Sequence, residues 1–235
     1  MDERYYDRFA AAYYRGLSLR EGHPALDSRL TSMPLDALTP EETAQIIAAG
    51  REVKDRLYYF KRTHGEMPRV KRVLGFLRSV PFDSLLDVGS GRGVFLIPFM
   101  EAFPWVRVSS ADVLAHRVQF LQDLSAGGVD QLTAVNADIT QPPFPEKSHD
   151  VVTLLEVLEH IPQVDKAVEA AVRIARKHVV VTVPSKPDDN PEHIHLLTKA
   201  ALTELFESAG CTRLRFDGVN GHLFMVATVD PATEE

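Results

Sequence analysis

The sequence is poor in cysteine, in tryptophan and in long apolar runs, and it has no excess of basic charge. A lone cysteine, Cys211, excludes an intramolecular disulfide framework and any zinc site built from several thiolates. It fits a reducing compartment, and its place after the helix-stop SAG reads as that of a small buried hydrophobe. No apolar run reaches the ~20 residues that a membrane span needs. The opening residues, MDERYYDRF, lack the apolar core of a secretory leader. These absences lead us to expect a soluble, cytoplasmic protein with no membrane partner. The net charge of −7 argues against a polyanion binder that uses its whole surface, although a local basic patch stays open. Repeats and low-complexity tracts are absent.

What is present is ordinary globular material: 235 residues, 45% hydrophobic and 25% charged. That length suits one α/β domain with an extension, or two small domains. The pattern changes near residue 80. Residues 1–80 read as a polar helical extension, a cap, and residues 81–235 as the main domain. Within the extension, Thr39, Pro40 and Glu42 form a helix start: N-cap, first helical position and capping-box partner. Residues 67–80 read as a second amphipathic helix, and RTHGEMPR (62–69) as the break between the two.

From Ser84 onward, strand-like runs at 84–88, 106–113, 132–139, 150–157, 178–184, 213–219 and 222–229 alternate with helical segments at 94–102, 114–126, 165–177 and 198–209. Such alternation with Val/Leu-rich strands predicts a parallel sheet covered on both faces. The last two runs are separated only by Asn220-Gly221, the signal of a type I′ hairpin. The expected fold is α/β and Rossmann-like, a seven-stranded, mostly parallel sheet that ends in an antiparallel hairpin, with an N-terminal helical cap.

The first strand runs into DVGSGRGV. Glycines there permit a sharp turn and a close approach of backbone to a ligand at a helix N-terminus. Gly89, Gly91 and Gly93 give G-x-G-x-G, with Val94 where a dinucleotide loop wants its last glycine. No G-K-[ST] follows, which excludes a Walker loop. Asp87, two residues before Gly89, would do nothing for a phosphate but suits a ligand with an ammonium group.

This D-x-G-x-G-x-G loop after the first strand resembles that of the class I S-adenosylmethionine-dependent methyltransferases, and the likeness extends over residues 84–229. It implies that Asp87 and the loop residues Gly89, Ser90, Gly91 and Gly93 hold the amino-acid end of S-adenosylmethionine. Asp112 then falls where the family places a carboxylate on the ribose hydroxyls, and Val113 flanks the adenine. Asp138 would accept from the adenine amino group, and Ile139 would line the pocket.

A second constellation is EVLEH. Glu156, Glu159 and His160 fall at i, i+3 and i+4, so a helical turn would put them on one face. His193 and His195 follow the next strand, beside it in a parallel sheet. Two carboxylates and one or two imidazoles suit a divalent metal such as Mn, Fe, Zn, Co, Ni or Mg. E-x-x-E-H with a later histidine resembles the ubiquinone-type O-methyltransferases, where Glu156 would border the cofactor. It equally resembles the small-RNA 3′-end 2′-O-methyltransferases, which imply Glu156, Glu159, His160 and His193 as metal ligands; the aromatic segment that family carries after the histidine is missing here. His160 as a metal-free general base and purely structural roles are the alternatives.

Three readings follow. The first is O-methylation of a small-molecule acceptor, with or without a divalent metal. The second is metal-dependent 2′-O-methylation of an RNA 3′ end. The third is a non-catalytic, cofactor-binding regulator. Residues 51–78 carry nine Lys/Arg against three acids, interrupted by Tyr58, Tyr59 and Phe60, and read as either a solvated face or a basic lid. Tyr5, Tyr6, Tyr13 and Tyr14 stand as candidates for substrate contact.

Overall fold

A computed structural model describes residues 4–22, 26–187 and 189–229. The first residues read for a leader, 1–3, lie outside the described residues. The helices are α1 (Asp7–Glu21), α2 (Ser28–Ser32), α3 (Pro40–Val53), α4 (Thr63–Glu66), α5 (Pro68–Leu77), α6 (Leu96–Ala102), α7 (Ala115–Ala126), α8 (Val164–Ile174) and α9 (Lys199–Ser208). The strands are β1 (Ser84–Val88), β2 (Arg107–Asp112), β3 (Leu132–Asn136), β4 (His149–Leu155), β5 (Ala175–Pro184), β6 (Arg213–Val219) and β7 (His222–Thr228).

The seven strands form one sheet in the order β3-β2-β1-β4-β5-β7-β6. β1 to β5 pair in parallel, and β7 runs antiparallel to both β5 and β6. As expected, Asn220 and Gly221 make the hairpin turn, both with positive φ (40° and 85°). Successive strand residues feed opposite faces. Leu85, Val151, Val180 and Val226 belong to one core with α1, α5, α6 and α7. Leu86, Val152, Val179 and Val181 belong to the other, with α8 and α9. Burial on both faces explains why these strands are continuous apolar runs. The chain winds outward one way from β1 to β3 and the other way from β4 to β6, so strand order reverses between β1 and β4. Ligands of open α/β sheets bind at the carboxyl ends of the strands beside such a point.

Several boundaries differ from the sequence reading: the strand expected over 132–139 ends at Asn136, so Asp138 and Ile139 lie in the loop after it, and the strand expected over 150–157 ends at Leu155. The helix expected over 165–177 stops at Ile174, and residues 175–177 join β5. Pairing of Ala175 with His149 and the grip of Arg176 on Asp150 (3.1 Å) draw them into the sheet. The helix opened by Thr39 has the expected capping box, in which Glu42 N–H donates to Thr39 Oγ1 (3.1 Å) and Thr39 N–H to Glu42 Oε2 (2.9 Å). It ends at Val53. Beyond it Phe60, fully buried, packs against Tyr13 and Phe120 and pulls 57–60 into a separate 3₁₀ turn. The break expected at 62–69 holds the short α4.

The N-terminal helices share one continuous core with the sheet. Every residue of α1 from Phe9 to Ser18 is buried, Arg15 included. Arg15 donates to the carbonyls of Thr31 (2.8 Å) and Met33 (2.6 Å). Tyr6, Tyr13 and Tyr14 are therefore core residues, Tyr13 also lining a cavity between α1 and α7, while Tyr5 bridges to Lys61. Arg20 forks onto Asp123 of α7 at 2.8 and 2.9 Å, clamping α1 to the main sheet layer. Among the described residues, no helix is long and apolar enough to cross a membrane.

Candidate active site

β1 delivers Asp87 to the carboxyl edge of the sheet, where it is buried. The strand register sets Thr153 opposite it, and Thr153 Oγ1 donates to Asp87 Oδ1 at 2.6 Å. Burial pushes the Asp87 carboxyl up to about 6; the Thr153 and Ser90 hydroxyls oppose that shift, and the nearby Asp112 adds to it. The chain then turns through Gly89, Gly91 and Gly93, with φ of 67°, 56° and 74°. Non-glycine residues rarely adopt this conformation. Gly89 is also closed in: a Cβ there would stand 2.6 Å from Val157. Ser90 ties the loop down, its hydroxyl 2.7 Å from that of Ser110.

Asp112 ends β2, and both its oxygens hold backbone: Gly91 N–H at 3.0 Å and Leu114 N–H at 2.9 Å. Its carboxylate therefore fixes the glycine loop and keeps lone pairs open towards the cleft. Val113, 61% exposed, stands at the rim. Asp138 is exposed with Oδ1 held by Thr140, and Ile139 is buried beside it. A cleft of about 510 Å³ joins these residues, lined by Gly89, Gly91, Asp112, Val113, Asp138, Ile139, Glu156, Val157 and His160. A second cavity of about 210 Å³ lies across the glycine loop, lined by Asp87, Ser90, Arg69, Arg92, Phe95, Glu156 and Thr182.

EVLEH divides in two. Glu156 follows β4 with φ +59°, and its N–H donates to the Thr182 carbonyl at 2.9 Å. That bond continues the sheet, so the helical turn starts only at Leu158 and Glu156 does not share a face with the other two. Its carboxylate accepts from Thr182 Oγ1 (2.7 Å) and lies 3.0 Å from His222 Nε2. Glu156 thus stands apart from the expected ligand set and borders both cavities.

Glu159, His160 and His193 do come together. Their ligand atoms lie within 4.8 Å of one another, and Glu159 is fully buried. The His160 and His193 rings are 4.8 Å apart at 65°. His160 Nδ1–H donates to the Glu192 carbonyl at 2.9 Å, which leaves the lone pair on Nε2. His195 is turned elsewhere, with Nε2–H donating to the Ile161 carbonyl at 3.0 Å. One carboxylate with two imidazoles is a donor set suited to first-row divalent metals. Two ligands on a zinc-sized ion stand at most about 4.2 Å apart, so the observed spread calls for only small side-chain rotations.

The sequence reading missed Thr153 and His222, which strand register and the hairpin bring in, while Arg69, one of the cations of the basic segment 51–78, lines the second cavity. Arg92 was in view, inside GSGRG, and gave no signal of its direction.

Fold and site together define a class, the Rossmann-like enzymes that use S-adenosylmethionine as methyl donor. A family described as a methyltransferase domain matches residues 59–215, and the chain belongs to that family. Among solved structures, the chain is similar to a SAM-dependent methyltransferase from Aquifex aeolicus, with a TM-score of 0.59 and 19% identity over 71% of this chain and 92% of that one. It is also similar to magnesium protoporphyrin IX methyltransferase from Synechocystis PCC 6803, solved with bound SAH, with a TM-score of 0.56 and 16% identity over 71% of this chain and 84% of that one. At such identities the likeness is one of fold. A curated relative, ribosomal RNA small subunit methyltransferase G from Leuconostoc citreum (strain KM20), is 41% identical over 56 residues, which is 24% of this chain and 22% of that protein.

Proposed function

We propose that this chain transfers the methyl group of S-adenosylmethionine to an oxygen of a small-molecule acceptor. The observation that carries the reading is the single 510 Å³ cleft that joins the glycine loop, Asp112, Val113, Asp138 and Ile139 to His160. Asp87 and Glu156 offer carboxylates to the ammonium and sulfonium groups of S-adenosylmethionine, and Arg69 and Arg92 in the same cavity suit its carboxylate. Methyl transfer is an in-line displacement, so the chain's work is to align the acceptor and take its proton. His160 is the residue for that proton. It borders the cleft, and the Glu192 carbonyl fixes its tautomer with Nε2 free to accept.

The convergence of Glu159, His160 and His193 favours a second reading, in which the three hold a divalent cation. When bound, such an ion supplies Lewis acidity that lowers the pKa of an acceptor hydroxyl. A chelator separates the two. With His160 as a metal-free base, EDTA leaves methylation unchanged, His160→Ala lowers kcat about 100-fold or more, and His193→Ala changes it little. With a metal, EDTA abolishes turnover, Mn²⁺ or Zn²⁺ restores it, and His193→Ala is as damaging as His160→Ala. Unchanged turnover in His160→Ala under both conditions contradicts both readings.

A further inference from the structure

A third cavity, of about 200 Å³, lies between α1, the segment after α3 and the first turns of α7. Its lining includes Lys54, Arg56, Arg92 and Arg117. Among the described residues, none of these four forms an ion pair with a carboxylate. The one acid in the wall, Asp123, is consumed by the Arg20 fork and by Gln119 (3.1 Å). Tyr59 holds two of the cations together, since the Arg56 and Arg92 guanidinium groups lie 5.5 and 5.4 Å from its ring centroid. Like charges gathered without a counter-ion repel, and a bound anion would relieve the repulsion. Cation–π contacts keep the two guanidinium groups placed for it at modest cost.

We propose that this cavity is an oxyanion subsite that receives a phosphate or diphosphate group of the acceptor. The assignment of the group to the acceptor rests on the methyltransferase reading. Arg92 and Arg117 also line the cavities beside the glycine loop, so the subsite opens onto the reaction site. At about 200 Å³ the cavity suits a small ligand of one or two phosphoryl groups. The protein's net charge of −7 likewise favours a small ligand over RNA. Arginine forks suit tetrahedral oxyanions because they donate two parallel hydrogen bonds.

Calorimetric titration of the full chain with inorganic pyrophosphate, with and without saturating S-adenosylhomocysteine, tests this. The expected result is one saturable, salt-sensitive site whose affinity is unaffected by S-adenosylhomocysteine. Lys54→Ala/Arg56→Ala should weaken pyrophosphate about tenfold or more while leaving S-adenosylhomocysteine affinity unchanged, which also reports an intact fold. The single exposed change Lys54→Glu should weaken it in the same direction. Four results overturn the proposal: no saturable pyrophosphate binding at millimolar concentration; competition with S-adenosylhomocysteine, which would assign the cations to the cofactor's carboxylate; equal affinity in the variants; and binding of a short single-stranded RNA without binding of pyrophosphate. Failure of S-adenosylhomocysteine to bind would strike the methyltransferase reading separately, because pyrophosphate is measured without it.

Discussion

Asp87→Asn is expected to make the apo-protein more stable at pH 7.5 and to weaken its hold on S-adenosylhomocysteine. The carboxyl is buried, and its pKa is raised from 3.8 to about 6. A carboxyl raised in the folded state imposes a cost that is fully present above pH 6 and is relieved as pH falls through 6 towards 3.8. At 1.36 kcal/mol per pH unit, the cost above pH 6 is about 2–3 kcal/mol. Asparagine is nearly isosteric, can still accept from Thr153 and has no charge to bury. The variant's advantage in chemical denaturation should therefore be largest above pH 6 and vanish below pH 4. The affinity should move the other way. An ammonium group favours the ionised carboxylate, so the variant should bind about tenfold or more weakly at pH 7.5. In the wild type, affinity should fall as pH drops through about 6. A less stable variant with unchanged affinity would make Asp87 a structural residue.

The second large effect concerns how the N-terminal helices are held. Gly127→Ala places a methyl group 1.7 Å from the Ala12 carbonyl oxygen, and Gly16→Ala places one 1.8 Å from the Asp123 carbonyl oxygen. Both obstacles are backbone, so no rotamer change relieves them. Alanine in mid-helix ordinarily gains about 1 kcal/mol over glycine. At Gly16 the collision should reverse that sign and cost about 3 kcal/mol or more. Parting α1 from α7 would break the Arg20–Asp123 fork and open the aromatic cluster of Tyr13, Phe60 and Phe120. Denaturant midpoints measure this. Gly75→Ala, where a Cβ would meet nothing within 4 Å, is the matched control and should be neutral or slightly stabilising.

These contacts mark where the sequence was informative and where it was silent. The strands were legible because burial on both faces leaves long Val/Leu runs, and Asn-Gly announced the hairpin through the positive φ that both residues adopt. The glycine loop was legible for the same conformational reason. Roles set by long-range register were not. Nothing in the sequence says that Thr153 faces Asp87, or that His222 reaches Glu156 across the sheet edge. EVLEH misled through its spacing. The i, i+3, i+4 pattern assumes a helix from Glu156, but the bond to Thr182 prolongs the sheet by one residue and separates Glu156 from Glu159 and His160. Tyr5, Tyr6, Tyr13 and Tyr14 stood as candidates for substrate contact because the resemblance places a substrate-covering cap there, whereas the middle of α1 is buried all round.

The central claim is that the cleft between the glycine loop and β3 holds the methyl donor. Isothermal titration of the full chain with S-adenosylhomocysteine at pH 7.5 tests it most directly. The expected result is one saturable site per chain, lost or weakened about tenfold or more in Asp112→Ala, whose carboxylate both pins Gly91 and faces the cleft. Absence of binding at high protein concentration, or full affinity in Asp112→Ala, would contradict the account.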